Sequence, residues 1–143
     1  MSVVREAMVR DPGRLPADAS AQAAGELLQR PEVRAIFVTE DDRLVGVVTR
    51  KTLVREVVAT GSDPRLTRLG DIAEEPHHVI GPDVPLEEAF RFLEAHDAER
   101  VPVVDDDHRL IGVLSRSVLQ RRLAEEAEPE AGEDEEPELP PAA

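Results

Sequence analysis

The chain contains an internal repeat, and this repeat constrains its fold more than any other feature of the sequence. Segment 34–53 aligns without a gap with segment 100–119, and nine of the twenty positions are identical. These identical pairs are Arg34 and Arg100, Val38 and Val104, Asp41 and Asp107, Arg43 and Arg109, Leu44 and Leu110, Gly46 and Gly112, Val47 and Val113, Arg50 and Arg116, and Leu53 and Leu119. A segment that recurs in this way is a duplicated supersecondary unit. The sequence therefore predicts two similar structural repeats in tandem.

The first half of each repeat shows the same order of predicted elements. Upstream of the aligned block the match continues one residue out of register, so that Leu15 corresponds to Ile80 and Asp18 to Asp83. A short opening segment leads to an extended stretch around Leu15 or Ile80. Because Asp is a favoured N-cap residue, a helix is predicted to begin near Asp18 or Asp83.

The second half of each repeat is predicted to form a hairpin and a closing helix. Two runs rich in β-branched residues are typical of paired strands, and they lie at 35–39 and 44–48 in the first repeat and at 101–104 and 110–114 in the second. The closing helix is predicted to begin at Thr49 in the first repeat and at Ser115 in the second.

The repeats divide the chain into four predicted segments. Residues 1–60 form the first repeat, 61–68 a linker, 69–123 the second repeat and 124–143 a tail. A unit of about 60 residues is only marginally stable alone, so the two repeats are expected to share an interface. The tail holds nine acidic residues and no basic ones, and such a segment cannot support a packed core. We expect it to be disordered.

The composition disfavours several classes of function. Aromatic residues make up 2% of the chain, which argues against stacking platforms for single-stranded nucleic acid. Residues 1–123 carry 22 acidic and 17 basic residues, a balance that disfavours a phosphate backbone as partner. Without Cys, thiolate zinc sites and catalytic thiols are excluded, and no apolar stretch approaches the about 18 residues of a membrane helix. We expect a cytoplasmic protein that binds neither nucleic acid nor membrane.

Several short motifs recur in the order that is typical of one family. They are Val-Arg-Glu-Ala-Met at 4–8, Pro-Asp at 82–83, Arg-Val-Pro-Val-Val at 100–104, Gly-Val-Val-Thr at 46–49 and Gly-Val-Leu-Ser at 112–115. This pattern closely resembles a tandem pair of CBS domains, also called a Bateman module, and the resemblance covers residues 1–123. It implies an α/β fold in which two β-α-β-β-α repeats pack with pseudo-twofold symmetry.

The resemblance also carries expectations about function. Such pairs are regulatory rather than catalytic, often dimerise, and commonly sense adenosine-containing ligands in clefts between the two repeats. The resemblance is to stand-alone bacterial CBS-domain proteins. We therefore expect a homodimer without enzyme activity that binds a nucleotide like AMP, ADP or ATP and signals to a partner protein. No other cofactor is expected.

The turn from strand into closing helix could hold an anion in either repeat. Thr49 and Ser115 occupy these turns, where a hydroxyl lies beside free backbone N–H groups at the positive end of a helix dipole. Arg50, Lys51 and Arg116 add cations next to the hydroxyls, which suits a phosphate. Thr and Ser are also good N-caps, and capping alone would explain both hydroxyls.

The resemblance assigns further ligand-binding positions. In ligand-binding relatives, an Asp three residues after the Thr or Ser accepts hydrogen bonds from the ribose, whereas this chain has Thr52 and Val118 there. Because Thr52 keeps a hydroxyl, the cleft at Thr49 and Thr52 is the better candidate of the two. The positions that flank the base correspond to Leu15, Ile36, Ile80 and Pro102. Ordinary strand packing is an alternative explanation for each of these four residues.

The remaining polar clusters are better explained by local structure. His77 and His78 would point to opposite sides of any strand, and His96 and His108 fall in predicted connections, so no metal site is expected. The two acidic runs lie at the predicted hairpin turns, where Asp is favoured. No catalytic triad, carboxylate dyad or Gly-rich phosphate loop occurs in a supporting context.

Two functions of different kinds remain open at this point. The first is a sensor of an adenosine-type ligand, and the second is a ligand-free dimerisation or adaptor module that recruits a partner protein. The missing carboxylates at Thr52 and Val118 favour the adaptor, whereas the Thr49-Arg50-Lys51 turn favours the sensor.

Overall fold

The computed structural model describes residues 2–10 and 13–138, with the side chains described up to residue 127. Its first repeat contains α1 (Val4–Ala7), β1 (Arg14–Pro16), α2 (Ala21–Leu28), β2 (Ile36–Glu40), β3 (Arg43–Val48) and α3 (Arg50–Leu53), which continues as a π-helical turn (Val54–Val58). Its second repeat contains α4 (Leu69–Ile72), α5 (Leu86–Ala95), β4 (Arg100–Val104), β5 (Leu110–Ser115) and α6 (Arg116–Glu138). This order confirms the predicted α/β architecture.

Each repeat is built on an antiparallel hairpin, as the sequence predicts. β2 pairs with β3, and β4 pairs with β5. β1 joins the first hairpin in parallel to β2, whereas its counterpart in the second repeat is a single parallel bridge between Ile80 and Val103. At the first hairpin turn Asp41 and Asp42 have φ values of 53° and 67°, a left-handed conformation that Asp tolerates better than most residues.

Helices α2 and α5 begin later than expected. The N-cap of α2 is Ser20, whose Oγ accepts a hydrogen bond from the backbone N–H of Ala23 at 3.1 Å. The predicted cap at Asp18 is therefore wrong. In the second repeat Pro85 holds the N-cap position, while Asp83 forms an exposed ion pair with Arg5 at 2.8 Å.

The opening helix of each repeat packs into the core of the other repeat. Val4 and Ala7 of α1 are buried in a cluster with residues of α5, β4 and β5, whereas Leu69 of α4 is buried with residues of α2, β2 and β3. Backbone hydrogen bonds accompany this exchange, since Val4 N–H donates to Val84 and Leu69 N–H donates to Ala19, both at 2.9 Å. Neither repeat therefore completes its core without the other.

Gly46 and Gly112 let the exchanged segments cross the hairpins at short range. A Cβ at Gly46 would lie 2.5 Å from the Cβ of Ala73, and a Cβ at Gly112 would lie 2.6 Å from the Sδ of Met8. At these crossings Glu74 bridges β3 and Val9 bridges β5 in antiparallel fashion. The close approach explains why Gly occupies the same position in both repeats.

The two hairpins meet across a pseudo-twofold axis. Leu44 N–H donates to the carbonyl of His108 at 3.1 Å, and Leu110 N–H donates to the carbonyl of Asp42 at 3.0 Å. Leu44 and Asp42 correspond to Leu110 and His108 in the repeat, so the two bonds are symmetry equivalents. A buried cluster between the hairpins, formed by Phe37, Leu44, Val104 and Leu110, joins the two repeats.

Helix α6 extends beyond the predicted end of the second repeat. It runs from Arg116 to Glu138, so the expected boundary between residues 123 and 124 does not coincide with a break in the helix. Ala and Glu are good helix formers, which favours this continuation. The side chains of residues 124–127 are exposed. Residues 139–143 lie outside the described residues, and disorder of the tail stays a prediction.

Candidate functional site

A cleft of about 880 Å³ lies between the two repeats. Its apolar walls come from Phe37 and Val47 in the first repeat and from Pro102 and Val113 in the second. A volume of this size, with apolar walls and a few polar groups, is typical of sites for small organic ligands. The cleft is therefore the main candidate for a binding site.

Two equivalent arginines line this cleft. Arg34 precedes β2 and Arg100 begins β4, and they are identical partners in the sequence repeat. Both are exposed, and among the side chains described up to residue 127 neither takes part in an ion pair. They provide two uncommitted positive charges. The sequence analysis assigned no role to these two arginines, although their identity in the repeat could have pointed to one.

Ser115 and Val118 line the same cleft and, with the crossing residue Val9, form what we call the Ser115 corner. Ser115 ends β5 and caps α6, because its Oγ accepts the backbone N–H of Val118 at 3.2 Å. The neighbouring Arg116 lies outside the cleft lining, and its guanidinium binds the carboxylate of Glu99 at 3.1 Å. Arg116, which the sequence analysis placed beside Ser115 as a cation for a phosphate, is thus engaged in an ion pair with Glu99.

The equivalent place in the first repeat is closed by internal hydrogen bonds. We call Thr49, Thr52 and the crossing residue Glu74 the Thr49 corner. Thr49 N–H donates to the Oγ1 of Thr52 at 3.0 Å, and Thr52 N–H donates to the Oγ1 of Thr49 at 3.3 Å. Thr52 is fully buried, and its hydroxyl donates to the Glu74 carboxylate at 2.9 Å. Neither Thr lines the cleft.

The predicted cations of the first repeat also lie outside the cleft. The Nη2 of Arg50 donates to the backbone carbonyls of Leu28 at 2.6 Å and of Arg30 at 2.8 Å, so the guanidinium satisfies the C-terminal end of α2. Lys51 is exposed on α3. Arg50 therefore has a structural role that the sequence pattern did not reveal.

The four residues predicted to flank a base are divided between core and cleft. Ile36 is fully buried in the core of the first repeat with Leu15 packed against it, and Ile80 is buried in the core of the second. Pro102 lies in the cleft wall. The structure thus brings Pro102 and Ser115 together at the cleft, and it places the other predicted ligand-binding residues outside the lining.

A cluster of aromatic rings borders the cleft. His77 and His78 both line it, and since they lie outside any strand, the expectation about opposite sides of a strand does not apply to them. The ring of His78 lies 4.0 Å from that of His96 and meets Phe92 edge-on at 5.6 Å between centroids. Desolvation lowers the pKa of His78, and the neighbouring His96 and His77 act in the same direction. His78 therefore favours its neutral form.

In the part of the chain that the structure describes, no three His, Asp or Glu side chains lie close enough together to hold a metal ion. No helix within those residues is both long and apolar enough to span a bilayer.

The fold and the repeat agree with comparisons to known proteins. The CBS domain pattern matches residues 4–59 and 69–125. The chain therefore belongs to the CBS domain family and carries two CBS domains in tandem.

Among curated relatives, the chain is 29% identical to Hypoxic response protein 1 of Mycobacterium tuberculosis over 106 residues, which cover 73% of each protein. It is 26% identical to the CBS domain-containing protein YhcV of Bacillus subtilis over 115 residues, 80% of this chain and 81% of YhcV. It also matches inosine-5'-monophosphate dehydrogenase of Methanocaldococcus jannaschii, at 29% identity, but over 23% of that enzyme. The family thus includes both small CBS proteins and domains within larger enzymes.

Solved structures show the same fold. Hypoxic Response Protein I, crystallised with two coordinated zinc ions, superimposes with a TM-score of 0.72 at 25% identity, covering 85% of this chain and 99% of that one. CBSX2 in complex with AMP superimposes with a TM-score of 0.71 at 27% identity, covering 87% and 98%. A hexameric CBS-CP12 protein from bloom-forming cyanobacteria has a TM-score of 0.59 at 26% identity, covering 84% and 70%.

Proposed function

We propose that the protein is a regulatory CBS-pair module that senses an adenosine-containing nucleotide, of the AMP, ADP or ATP type, and passes the signal to a partner protein. The ligand occupies the cleft at the Ser115 corner. The observation that carries this proposal is a cleft of about 880 Å³ with apolar walls and two uncommitted arginines. The complex of the similar protein CBSX2 with AMP supports the ligand class.

The chemistry of the cleft suits the parts of such a ligand. Phe37 and Pro102 offer apolar surfaces for a base, one from each repeat. Arg34 and Arg100 offer guanidinium groups that bind phosphate oxygens in pairs. Ligand binding therefore links both repeats, which gives the module a means of changing their relative arrangement.

A nucleotide titration with arginine variants tests this proposal. Calorimetry should detect binding of AMP, ADP or ATP to the wild type, and the double variant Arg34→Gln/Arg100→Gln should weaken it by at least tenfold. The reason is that charge-assisted hydrogen bonds contribute about 1.5 to 3 kcal/mol each. Arg43→Gln is the matched control, since Arg43 is exposed outside the cleft and should leave the affinity unchanged. A wild type that binds none of these nucleotides would contradict the sensor function.

An exposed apolar face supports dimerisation and keeps the adaptor as the second candidate. Val54 and Val58 of the first repeat and Leu66 of the linker are 58%, 70% and 79% exposed. Val58 also lines a groove of about 330 Å³ that runs between α2 and the π-helical turn at Gly25. Large exposed apolar residues that cluster in this way mark interaction surfaces. We propose that the homodimer forms through this face, a view supported by the oligomeric state of the CBS-CP12 protein.

At the corresponding position of the second repeat, Phe90 stands where the first repeat has Gly25. Phe90 packs against the core of the second repeat. This side-chain difference favours a dimer contact at the groove beside Gly25 in the first repeat. If nucleotides do not bind, recruitment of a partner by this face is the remaining function.

A further inference from the structure

The Thr49 and Ser115 corners are equivalent in backbone but differ in the residue that crosses them. Glu74 exchanges both backbone hydrogen bonds with Val47 at 2.8 and 2.9 Å, and Val9 exchanges both with Val113 at 2.9 and 3.0 Å. Because Val47 and Val113 are repeat partners, Glu74 and Val9 occupy corresponding places. One crossing residue carries a carboxylate and the other an aliphatic side chain.

The Glu74 carboxylate is fixed on the Thr49 corner by two donors. Its Oε2 accepts the hydroxyl of Thr52 at 2.9 Å and also a guanidinium N–H of Arg55. The hydrogen bond from Thr52 holds the pKa of this carboxyl below its ordinary value, and Arg55 acts in the same direction. Glu74 therefore carries a negative charge at neutral pH.

No hydroxyl of the Thr49 corner is left to bind a ligand. The Thr52 hydroxyl donates to Glu74 and accepts from Thr49 N–H. The Thr49 hydroxyl accepts from Thr52 N–H and donates its own proton to the Thr52 Oγ1 at 3.1 Å. A phosphate that approached this corner would meet a carboxylate in place of free donors. Arg55 offsets part of that charge, but its own side chain is 49% exposed and screened by solvent.

At the Ser115 corner the crossing residue carries no carboxylate, and of the two carboxylate residues in the cleft lining, Glu32 and Glu99, the second is paired with Arg116 at 3.1 Å. Val9 is 51% exposed and lines the cleft, and Val118 stands where the other corner has Thr52. The two uncommitted arginines lie in the same cleft. The corners thus differ in the charge of the crossing residue as well as in their access to the cleft.

We infer that Glu74 closes the Thr49 corner to phosphate-bearing ligands, so that each chain binds one such ligand, at the Ser115 corner. This rests on the proposed function for the occupied corner. Glu74, which lies in the crossing segment and outside the strand-to-helix turn, thus determines how many ligands each chain binds.

Stoichiometry is the first test. Calorimetry with AMP should give one ligand per wild-type chain. Glu74→Gln keeps the shape of the side chain but removes its charge, and we expect the stoichiometry to rise to two, with the second ligand bound more weakly. Glu75→Gln is the control, because this neighbouring carboxylate is exposed outside the contacts with Thr52 and should leave one ligand per chain. Two ligands on the wild type, or one on Glu74→Gln, would overturn the inference.

The reciprocal substitution is the second test. Val9→Glu places a carboxylate at the equivalent point of the Ser115 corner, and it should weaken AMP binding by at least tenfold. Val9→Gln, of similar size but uncharged, should bind within about threefold of the wild type. Since Val9 is half exposed, both variants are expected to fold. Equal affinities of Val9→Glu and Val9→Gln would overturn the charge argument.

These variants also separate this inference from the proposed function. If the wild type does not bind AMP but Glu74→Gln binds one per chain, the Ser115 assignment fails and the role of Glu74 stands. If neither binds, both fail. Melting temperatures of all variants, measured alongside, confirm that each titrated sample is folded.

Discussion

The Thr49 corner and the Ser115 corner are built from the same repeated block, yet one is closed and the other opens into a cleft. In the first, Thr52 is buried and bound to Glu74. In the second, the corresponding Val118 faces a cleft that both repeats share. The two corners thus differ at Thr52 and Val118 within the repeated block and at Glu74 and Val9 in the segments that cross it. Each crossing segment belongs to the other repeat and lies outside the block of high identity.

The largest expected effect comes from disturbing one of the two crossings. Gly46→Ala places a Cβ against that of Ala73, which cannot rotate away, and should destabilise the fold by about 1 to 3 kcal/mol. Gly112→Ala should also destabilise the fold, because its Cβ would lie 2.9 Å from the backbone carbonyl oxygen of Val9 as well as 2.6 Å from the Sδ of Met8. Urea unfolding measures both. Gly25→Ala is the control, since helix α2 leaves room there and Ala should stabilise by about 0.5 to 1 kcal/mol.

The two capping hydroxyls should respond differently to removal. Ser115→Ala is expected to weaken AMP binding about tenfold through loss of a hydrogen bond to a charged group. Thr49→Ala should leave the affinity unchanged and instead reduce the free energy of unfolding by about 1 kcal/mol, because its hydroxyl caps α3. Calorimetry and urea unfolding of both variants make the comparison. A larger loss of affinity in Thr49→Ala would reverse our assignment of the corners.

The acceptor missing from the open corner can be restored. Val118→Asp places a carboxylate where ligand-binding relatives have Asp, and it should tighten binding of AMP several-fold if the ribose lies there. Thr52→Asp, the same change in the closed corner, should bring no added affinity while Glu74 remains in place. Calorimetric titration distinguishes these outcomes. Tighter binding by Thr52→Asp alone would indicate that the ligand occupies the first repeat.

The exposed helical face of the first repeat is the second difference between the repeats. Val58→Glu introduces a charge at a position that is 70% exposed, and it should weaken the homodimer at least tenfold, as measured by light scattering over a dilution series. Val45→Glu, at an exposed position on β3, is the control and should remain dimeric. A wild type that is already a monomer at micromolar concentration would contradict the dimer.

The cluster around His78 should make the open side of the molecule sensitive to acid. Because the pKa of His78 in the folded protein is lowered from 6.5, its neutral form contributes stability above about pH 6.5, and this contribution is lost as the pH falls through the folded pKa. His78→Phe should therefore flatten the fall in melting temperature below pH 6.5. An unchanged pH profile would show that His78 titrates as it does in the unfolded chain.

The smallest effect is expected from the acidic end of the chain. Removing residues 124–143 should change the free energy of unfolding by less than about 0.5 kcal/mol, because the side chains at 124–127 are exposed and the segment carries few apolar groups. Denaturant unfolding of the full and shortened chains measures this. A clear loss of stability would mean that the acidic segment packs against the domains.

Local sequence patterns determined much of the architecture. The gapless repeat predicted two equivalent units, runs rich in β-branched residues predicted the hairpins, and Thr49 and Ser115 marked the starts of the closing helices. These features depend on residues that lie close together along the chain, where periodicity and capping preferences act. The N-cap of α2 was misplaced by two residues because Asp18 and Ser20 are both good caps and only the chain path selects between them.

Tertiary structure alone decided which corner is open. The sequence favoured Thr49 and Thr52 because a hydroxyl was retained there, but it could not show that Glu74, 22 residues further along the chain, uses that hydroxyl. It likewise could not show that Arg34 and Arg100 share one cleft or that His78 stacks on His96. These contacts arise because the opening helices are exchanged between repeats, which brings together residues from distant parts of the chain. Local propensities carry no information about contacts between residues that are far apart along the chain. The sequence therefore determined the repeat, while packing between the two repeats determined the candidate site.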